Sequence, residues 1–181
     1  SVDVSSRELK RELTGDRVLL SVNVGQDGAT YAAVATTPQI PADVFTGTLG
    51  GSERRLTQLN EELLFERSLA VPESLSYEGA DGREIEGWIM YPPEFEPESG
   101  ERVPMILQIH GGPHGAYGLT FFHEFQLMAA RGYAVLFTNP HGSRGYGQEF
   151  TAATHHDWGG KDYQDLMKGV DHALSLGTVD E

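Results

Sequence analysis

The sequence predicts an α/β domain over its second half, preceded by an antiparallel β-meander, and three observations carry that expectation. Two short apolar runs without alternation, MILQI (105–109) and YAVLF (133–137), each lead into a glycine-rich loop. Tyr163, Leu166, Met167, Val170, Ala173 and Leu174 recur at the spacing of a helix with one apolar stripe. Residues 17–60 break instead into short alternating bursts between turn signals, the texture of hairpins.

In order along the chain, the bursts are RVLLSVNV, then ATYAAVATT after Gln26-Asp27-Gly28, ADVFTGTL after Pro41, and ERRLTQLN after Gly50-Gly51. Four such strands make one meander of about 40 residues, the size of a propeller blade. A lone four-stranded sheet would expose an apolar face, so the meander is expected to belong to a larger set of blades, with a small sandwich packed on the rest of the chain as the alternative. NEELLFE (60–66) reads as a solvated connector whose two leucines dock at a domain boundary. ESLSYEGADGREIEGWIMYPP (73–93) reads as two strands around an Asp81-Gly82 turn, and the polar, breaker-rich EFEPESGERVP as a loop. MILQI, lacking alternation, is expected to be a strand buried on both faces. Phe121, Phe125 and Met128 place a helix that stops at Arg131-Gly132, YAVLF a second buried strand, and the stripe from Asp162 a helix ending at Gly177. Alternation of strand and helix implies a parallel sheet.

Composition narrows the function classes. With 181 residues, 39% hydrophobic and 22% charged, the chain suits one domain or parts of two, and no apolar run nears the ~20 residues of a membrane span. A net charge of -14, from 27 acidic and 13 basic residues, disfavours a nucleic-acid surface, which needs clustered cations. Cysteine is absent, excluding a disulfide framework or thiolate metal site. That absence fits the expected cytoplasmic compartment, and the N-terminal SVDVSSRELK, without the basic and apolar regions of a signal peptide, reads like a chain entered in mid-structure. Seven histidines invite a zinc test, but His110 and His114 flank Gly-Gly-Pro and His123-Glu124 lacks the second histidine of H-E-x-x-H. GSRGYG has the wrong glycine spacing for a dinucleotide loop and no G-K-[ST] occurs. No metal and no cofactor are expected.

Ligands in parallel sheets sit at the carboxyl ends of strands, where His110-Gly111-Gly112-Pro113 falls. Glycines there let backbone N–H groups approach a substrate, and Pro113 fixes the exit. Two readings stand on these residues: an oxyanion hole with the Gly112 N–H as donor and His110 and Gly111 shaping the turn, or a tight strand-to-helix turn. A second glycine-rich loop, NPHGSRGYG (139–147), follows the second strand, and two such loops at adjacent strand ends favour a site between them. His155-His156 beside Asp157 could be a base with its orienting carboxylate, or residues capping the next helix. DWGGKD (157–162) reads as a helix entrance, with Asp157 as cap and Trp158 as apolar anchor.

Taken together, HGGPHGAYG, AARGYAVLFTNPHGSRGYGQEF and DWGGKDYQDLMKGVDHAL resemble the prolyl oligopeptidase family of serine peptidases, and within it the acylaminoacyl-peptidase-like branch. The resemblance covers about residues 70–181. It implies the last blade of a β-propeller over residues 1–68, with a preceding strand, and the N-terminal part of an α/β-hydrolase catalytic domain over 69–181. It makes Gly112 the oxyanion-hole donor and gives Ser143 a structural place. The family writes R-G-S-x-G-Y-G where this chain has His141 in the first position, which unsettles any ion-pairing role for that position.

In α/β-hydrolases the triad runs Ser, Asp, His, with the serine in a G-x-S-x-G elbow, and these residues contain no G-x-S-x-G. The nucleophile is expected about 8 to 15 residues beyond Glu181, by the strand and loop lengths of such units. The resemblance thus implies a serine peptidase acting on short or N-acylated peptides, to which this chain supplies the oxyanion loop but not the triad, and the chain alone is predicted inactive. Expected partners are a peptide substrate and the remainder of the same polypeptide or a complementary chain carrying the triad, with homo-oligomers common in the family. The rivals are an HGG-type carboxylesterase and a non-catalytic binding or assembly module on a hydrolase scaffold.

Overall fold

A computed structural model describes residue 3 and residues 5–180. Two compact units emerge, one holding the described residues up to Arg67 together with Gly118–Phe121, the other running over Ser68–Tyr117 and from Phe122 onward. No helix among the described residues is long and apolar enough to cross a membrane.

The first unit is an antiparallel sheet of β1 (Val18–Val24), β2 (Thr30–Thr37), β3 (Ile40–Thr48) and β4 (Glu53–Arg55), paired in sequence order. Asp27 closes the first hairpin by accepting from the N–H groups of Ala29 and Thr30 and the Thr30 hydroxyl. Tyr31, Ala33 and Ala35 of β2 are buried, whereas Leu20, Val22 and Val24 of the edge strand β1 are exposed. The last strand is shorter than the run ERRLTQLN implies, because the chain leaves the ladder at Leu56, and the Thr57 side chain turns back to Asp43.

Asp43 is buried within this sheet and accepts from Arg55 Nη2 at 2.5 Å, from the Thr57 hydroxyl and from the Leu59 N–H. Burial opposes its charge, but the bonds from Thr57 and Arg55 outweigh it and hold the carboxyl below its ordinary value. Glu53 is likewise lowered, chiefly by Arg17 at 2.5 Å. A carboxylate depressed in the fold contributes stability above its unfolded value and loses it as pH falls through the folded value. The sheet is therefore expected to lose stability below about pH 4, the unfolded carboxylate range. Circular dichroism under acid titration checks this, and Asp43→Asn should flatten the dependence.

The connector is a short helix, α1 (Glu61–Phe65), and Leu63 and Phe65 on it are exposed at 58% and 90%. The expectation of two docked leucines is corrected there: only Leu64 is half-buried.

In the second unit, β5 (Pro72–Glu78) and β6 (Glu84–Met90) form the expected hairpin around Asp81-Gly82. They are followed by β7 (Met105–Gln108), α2 (His123–Ala130), β8 (Ala134–Thr138), α3 (Gln148–Ala152) and α4 (Lys161–Ser175). The sheet runs β5-β6-β8-β7. It is mixed rather than parallel, since β8 pairs antiparallel with β6 and parallel only with β7. β8 is buried at every residue, as its lack of alternation implies. β7 is only half-buried, a correction with a topological cause: it is the edge strand, so among the described residues one flank has no neighbour over Met105–Gln108. Just before it, Val103 forms a parallel bridge with Val179, in the residues following α4.

Phe121 precedes α2 rather than lying on it, because its N–H bonds Thr36 Oγ1 in the first unit. Phe122, the residue immediately before the helix, stacks on Phe125 at 4.5 Å. The helix does stop at Arg131-Gly132, with Gly132 at φ +90°. In α4 the buried face is Asp165, Leu166, Gly169 and Ala173, while Tyr163 and Met167 of the predicted stripe are exposed. Two close approaches rotate it: Asp165 is drawn in by polar partners, and a Cβ on Gly169 would sit 2.6 Å from the Tyr77 hydroxyl.

Candidate active site

Where β7 ends, the chain turns through His110–Gly115. Gly112 has φ +130°, and the Gly112-Pro113 peptide is cis. A Cβ on Gly112 would lie 2.8 Å from the Gly115 nitrogen, whereas one on Gly111 meets nothing within 4 Å. Only the second glycine is thus imposed by geometry. Gly112 is exposed, and among the described residues no acceptor bonds its N–H. It is an outward donor at the carboxyl end of a strand.

The loop 139–147 grips this turn. His110 Nε2 lies 2.8 Å from Ser143 Oγ, His114 Nδ1 donates to the Gly142 carbonyl at 2.9 Å, and the Arg144 N–H donates to the Gly115 carbonyl at 3.1 Å. Asn139 adds a two-pronged contact, accepting from the Tyr117 N–H at 2.7 Å and donating to the Tyr117 carbonyl at 3.1 Å. Ser143 is fully buried, and its hydroxyl donates to the Pro140 carbonyl at 2.7 Å. With its proton spent there, that oxygen accepts from His110, which makes the pair a strut rather than a base and nucleophile. Beneath the turn, Tyr117 meets the rings of Phe122, Phe125 and Phe137 edge-on or tilted at 5.4 to 5.7 Å. Burial, and then the charge of Glu124, push the Tyr117 hydroxyl up to about 12.

The second loop is anchored in turn. His141, 2% exposed, directs its backbone N–H and Nδ1 at Asp165 Oδ2, 2.8 and 2.6 Å away, and lies flat on Phe150 at 4.4 Å. Asp165 Oδ1 accepts from the Ala80 N–H at 2.8 Å. On the other side His141 Nε2 is 3.2 Å from Asp81 Oδ2, within ion-pair distance but off the line of a hydrogen bond. Lys161 Nζ sits 3.1 Å from that oxygen. Desolvation opposes the Asp81 charge, but the bonds from Lys161 and the Arg83 N–H prevail and hold the carboxyl at about 2. Sequence reasoning missed Asp165, Asp81 and Asn139; the available signals were an acid on the apolar side of a helix and an amide directly after a buried strand.

Beside the turn lies an open cleft of about 620 Å³ whose walls include Pro113, His114, Gln148, Thr151, His156 and Trp158. Trp158 is 72% exposed there, so the apolar-anchor expectation is corrected. Asp157 does not cap α4 either: no side-chain hydrogen bond closes that helix start, and the Asp157 carboxylate lies over Gly160 instead. Among the described residues no three His, Asp or Glu side chains converge to hold a metal.

Two glycine-rich loops clasped together at the carboxyl ends of neighbouring parallel strands define an α/β protein whose site is made largely of backbone. The prolyl oligopeptidase family profile matches residues 119–181. By that match residues 119–181 belong to the prolyl oligopeptidase family. An uncharacterized peptidase of Bacillus subtilis, YuxL, is 45% identical over 154 residues, which are 85% of this chain and 23% of that protein. Dipeptidyl-peptidase 5 of Schizosaccharomyces pombe is 34% identical over 63% of this chain and 17% of its own length. Among solved structures, Pyrococcus horikoshii acylaminoacyl peptidase superposes with a TM-score of 0.84 at 30% identity, over 96% of this chain and 27% of that one. The chain thus spans about a quarter of the length of relatives such as these.

Proposed function

We propose that this chain supplies the oxyanion loop of a cytoplasmic serine peptidase acting on short or N-acylated peptides. Residues 1–68 are read as the end of a β-propeller, and 69–181 as the N-terminal part of an α/β-hydrolase domain. The observation that carries the reading is the Gly112 N–H, exposed and without an acceptor among the described residues. In the proposed reaction a serine hydroxyl gives its proton to the triad histidine as its oxygen attacks the scissile carbonyl, and the C=O electron pair moves onto oxygen. Gly112 donates to that oxyanion. Collapse expels the amine, protonated by the triad histidine, and water then hydrolyses the acyl ester.

The triad lies outside these residues in this proposal. The similarity to acylaminoacyl and dipeptidyl peptidases supports peptides as substrates.

The test is hydrolysis of an acyl-peptide anilide and of a simple ester, by this chain alone and by this chain assembled with a polypeptide carrying the triad. No turnover is expected from the chain alone, and preference for the anilide from the assembly. Turnover by the isolated, sequence-verified chain would defeat the assignment of the nucleophile, and preference for the ester would defeat the substrate class.

A further inference from the structure

We infer that His141 is a positioning residue for the Gly112 turn, its ring held between Asp165 and Asp81. The inference rests on the oxyanion reading for its functional meaning, but its geometry stands apart from it. Both ring nitrogens face carboxylate oxygens, Nδ1 at 2.6 Å from Asp165 and Nε2 at 3.2 Å from Asp81. Nδ1 and the backbone N–H are hydrogen-bonded to Asp165, while Nε2 lies beside Asp81 at ion-pair distance. The ring's setting admits little else, since it is 2% exposed and stacked on Phe150. Lys161 and Arg83 face Asp81 from α4 and the hairpin, and Glu149 of α3 pairs with Arg83, so the cluster alternates in sign around the ring.

What His141 holds is the next residue. The Gly142 carbonyl takes the bond from His114, two positions after Gly112. The Gly142 N–H is fixed separately on the Phe150 carbonyl at 2.9 Å. Ser143 and Arg144, next in line, bond His110 and Gly115. Three consecutive residues after His141 therefore grip the turn on both sides of Gly112, and the anchor of that grip is the carboxylate pair around the imidazole. Arginine is always charged and able to reach two carboxylates at once, so it would hold the same two partners, whereas the glutamine amide is neutral.

The experiment is amide hydrogen exchange on the 181-residue chain and on His141→Gln, His141→Arg and Asp81→Asn, with no substrate present. The reporters are the Arg144 and Tyr117 amides, whose bonds to the Gly115 carbonyl and Asn139 Oδ1 close the grip, together with the Gly112 amide chemical shift. Amides of the buried strand β8, at Val135 and Phe137, report global opening. In His141→Gln the two reporters are expected to exchange roughly tenfold faster while the β8 amides change less than about twofold, the signature of local rather than global opening. The Gly112 resonance should move with them. His141→Arg should restore both readouts, and Asp81→Asn, which alters a half-buried partner and leaves Asp165 in place, should give a smaller change of the same sign.

Unchanged reporters in the glutamine variant would overturn the inference. So would equal acceleration of the β8 amides, or failure of arginine to rescue where glutamine disturbs. These outcomes are distinct from failure of the oxyanion reading, which would show as undiminished peptide hydrolysis by the assembled enzyme when the Gly112 turn is displaced.

Discussion

Gly112→Ala is expected, on the proposed oxyanion role, to lower kcat of the proposed assembled peptidase by about a hundredfold to a thousandfold, the usual cost of losing one oxyanion donor. Alanine leaves the N–H in place, so the effect comes from geometry. At φ +130° an L side chain is strained, and its Cβ would meet the Gly115 nitrogen at 2.8 Å. The turn must shift to relieve that contact, and the donor turns away from the carbonyl oxygen. A donor that serves only the transition state lowers kcat with little change in KM. Gly111→Ala is the control, because a Cβ there meets nothing within 4 Å, and its kinetics should stay within about threefold of the parent on a surface site free of strain. Steady-state assays of the two variants side by side check the expectation. Equal loss in both would point to general sensitivity of the turn rather than to Gly112 as donor.

Asp165→Ala is expected to destabilise the second unit by about 3 to 5 kcal/mol, since three donors lose a buried acceptor at about 1 to 3 kcal/mol each before relaxation. Asp165 is fully buried and accepts from the Ala80 N–H, the His141 N–H and His141 Nδ1. Truncation strands three donors in the interior, and an unmade buried bond costs more than a made one contributes. Asp165→Asn should be milder, since an amide oxygen can still take part of the set. Urea unfolding followed by fluorescence measures the loss, with Trp88, 5% exposed in β6, reporting on this unit. A midpoint within a few tenths of a kcal/mol of the parent would show that water replaces the lost partners.

The contrast between these two positions shows how far the amino-acid sequence reaches. Strand β8 was legible because an unbroken apolar run needs only to be buried, whoever its neighbours are. The burial of β7 was not legible, because an edge and a centre differ in what lies alongside, and that is decided by β8 entering between β6 and β7. Gly112 stood out through its glycines. The bonds that fix its turn did not, since His114 and Gly142 are 28 residues apart and His110 and Ser143 are 33. Asp165 escaped notice for a different reason: hydropathy counts an acid as outward, and here the acid faces inward because His141 and the Ala80 N–H need it. His141 itself was visible only as a departure from the motif that the resemblance implies, and the two carboxylates beside it, Asp165 and Asp81, were not visible at all.

The strand order β5-β6-β8-β7 also bears on the order of events as the chain leaves the ribosome. The β5–β6 hairpin is local and can close as soon as it is made. β7 is made next, yet its ladder partner is β8, which follows it by some 25 residues, and the parallel pairing requires the crossover through α2. Until then Met105–Gln108 is an unpaired strand in a nascent chain, the kind of segment that invites wrong pairing. The polar, proline-bearing stretch ahead of it and the glycine turn behind it keep that exposed segment to four residues. The same glycines that free a backbone donor at the finished site therefore also cut short the segment that must wait for its partner during synthesis.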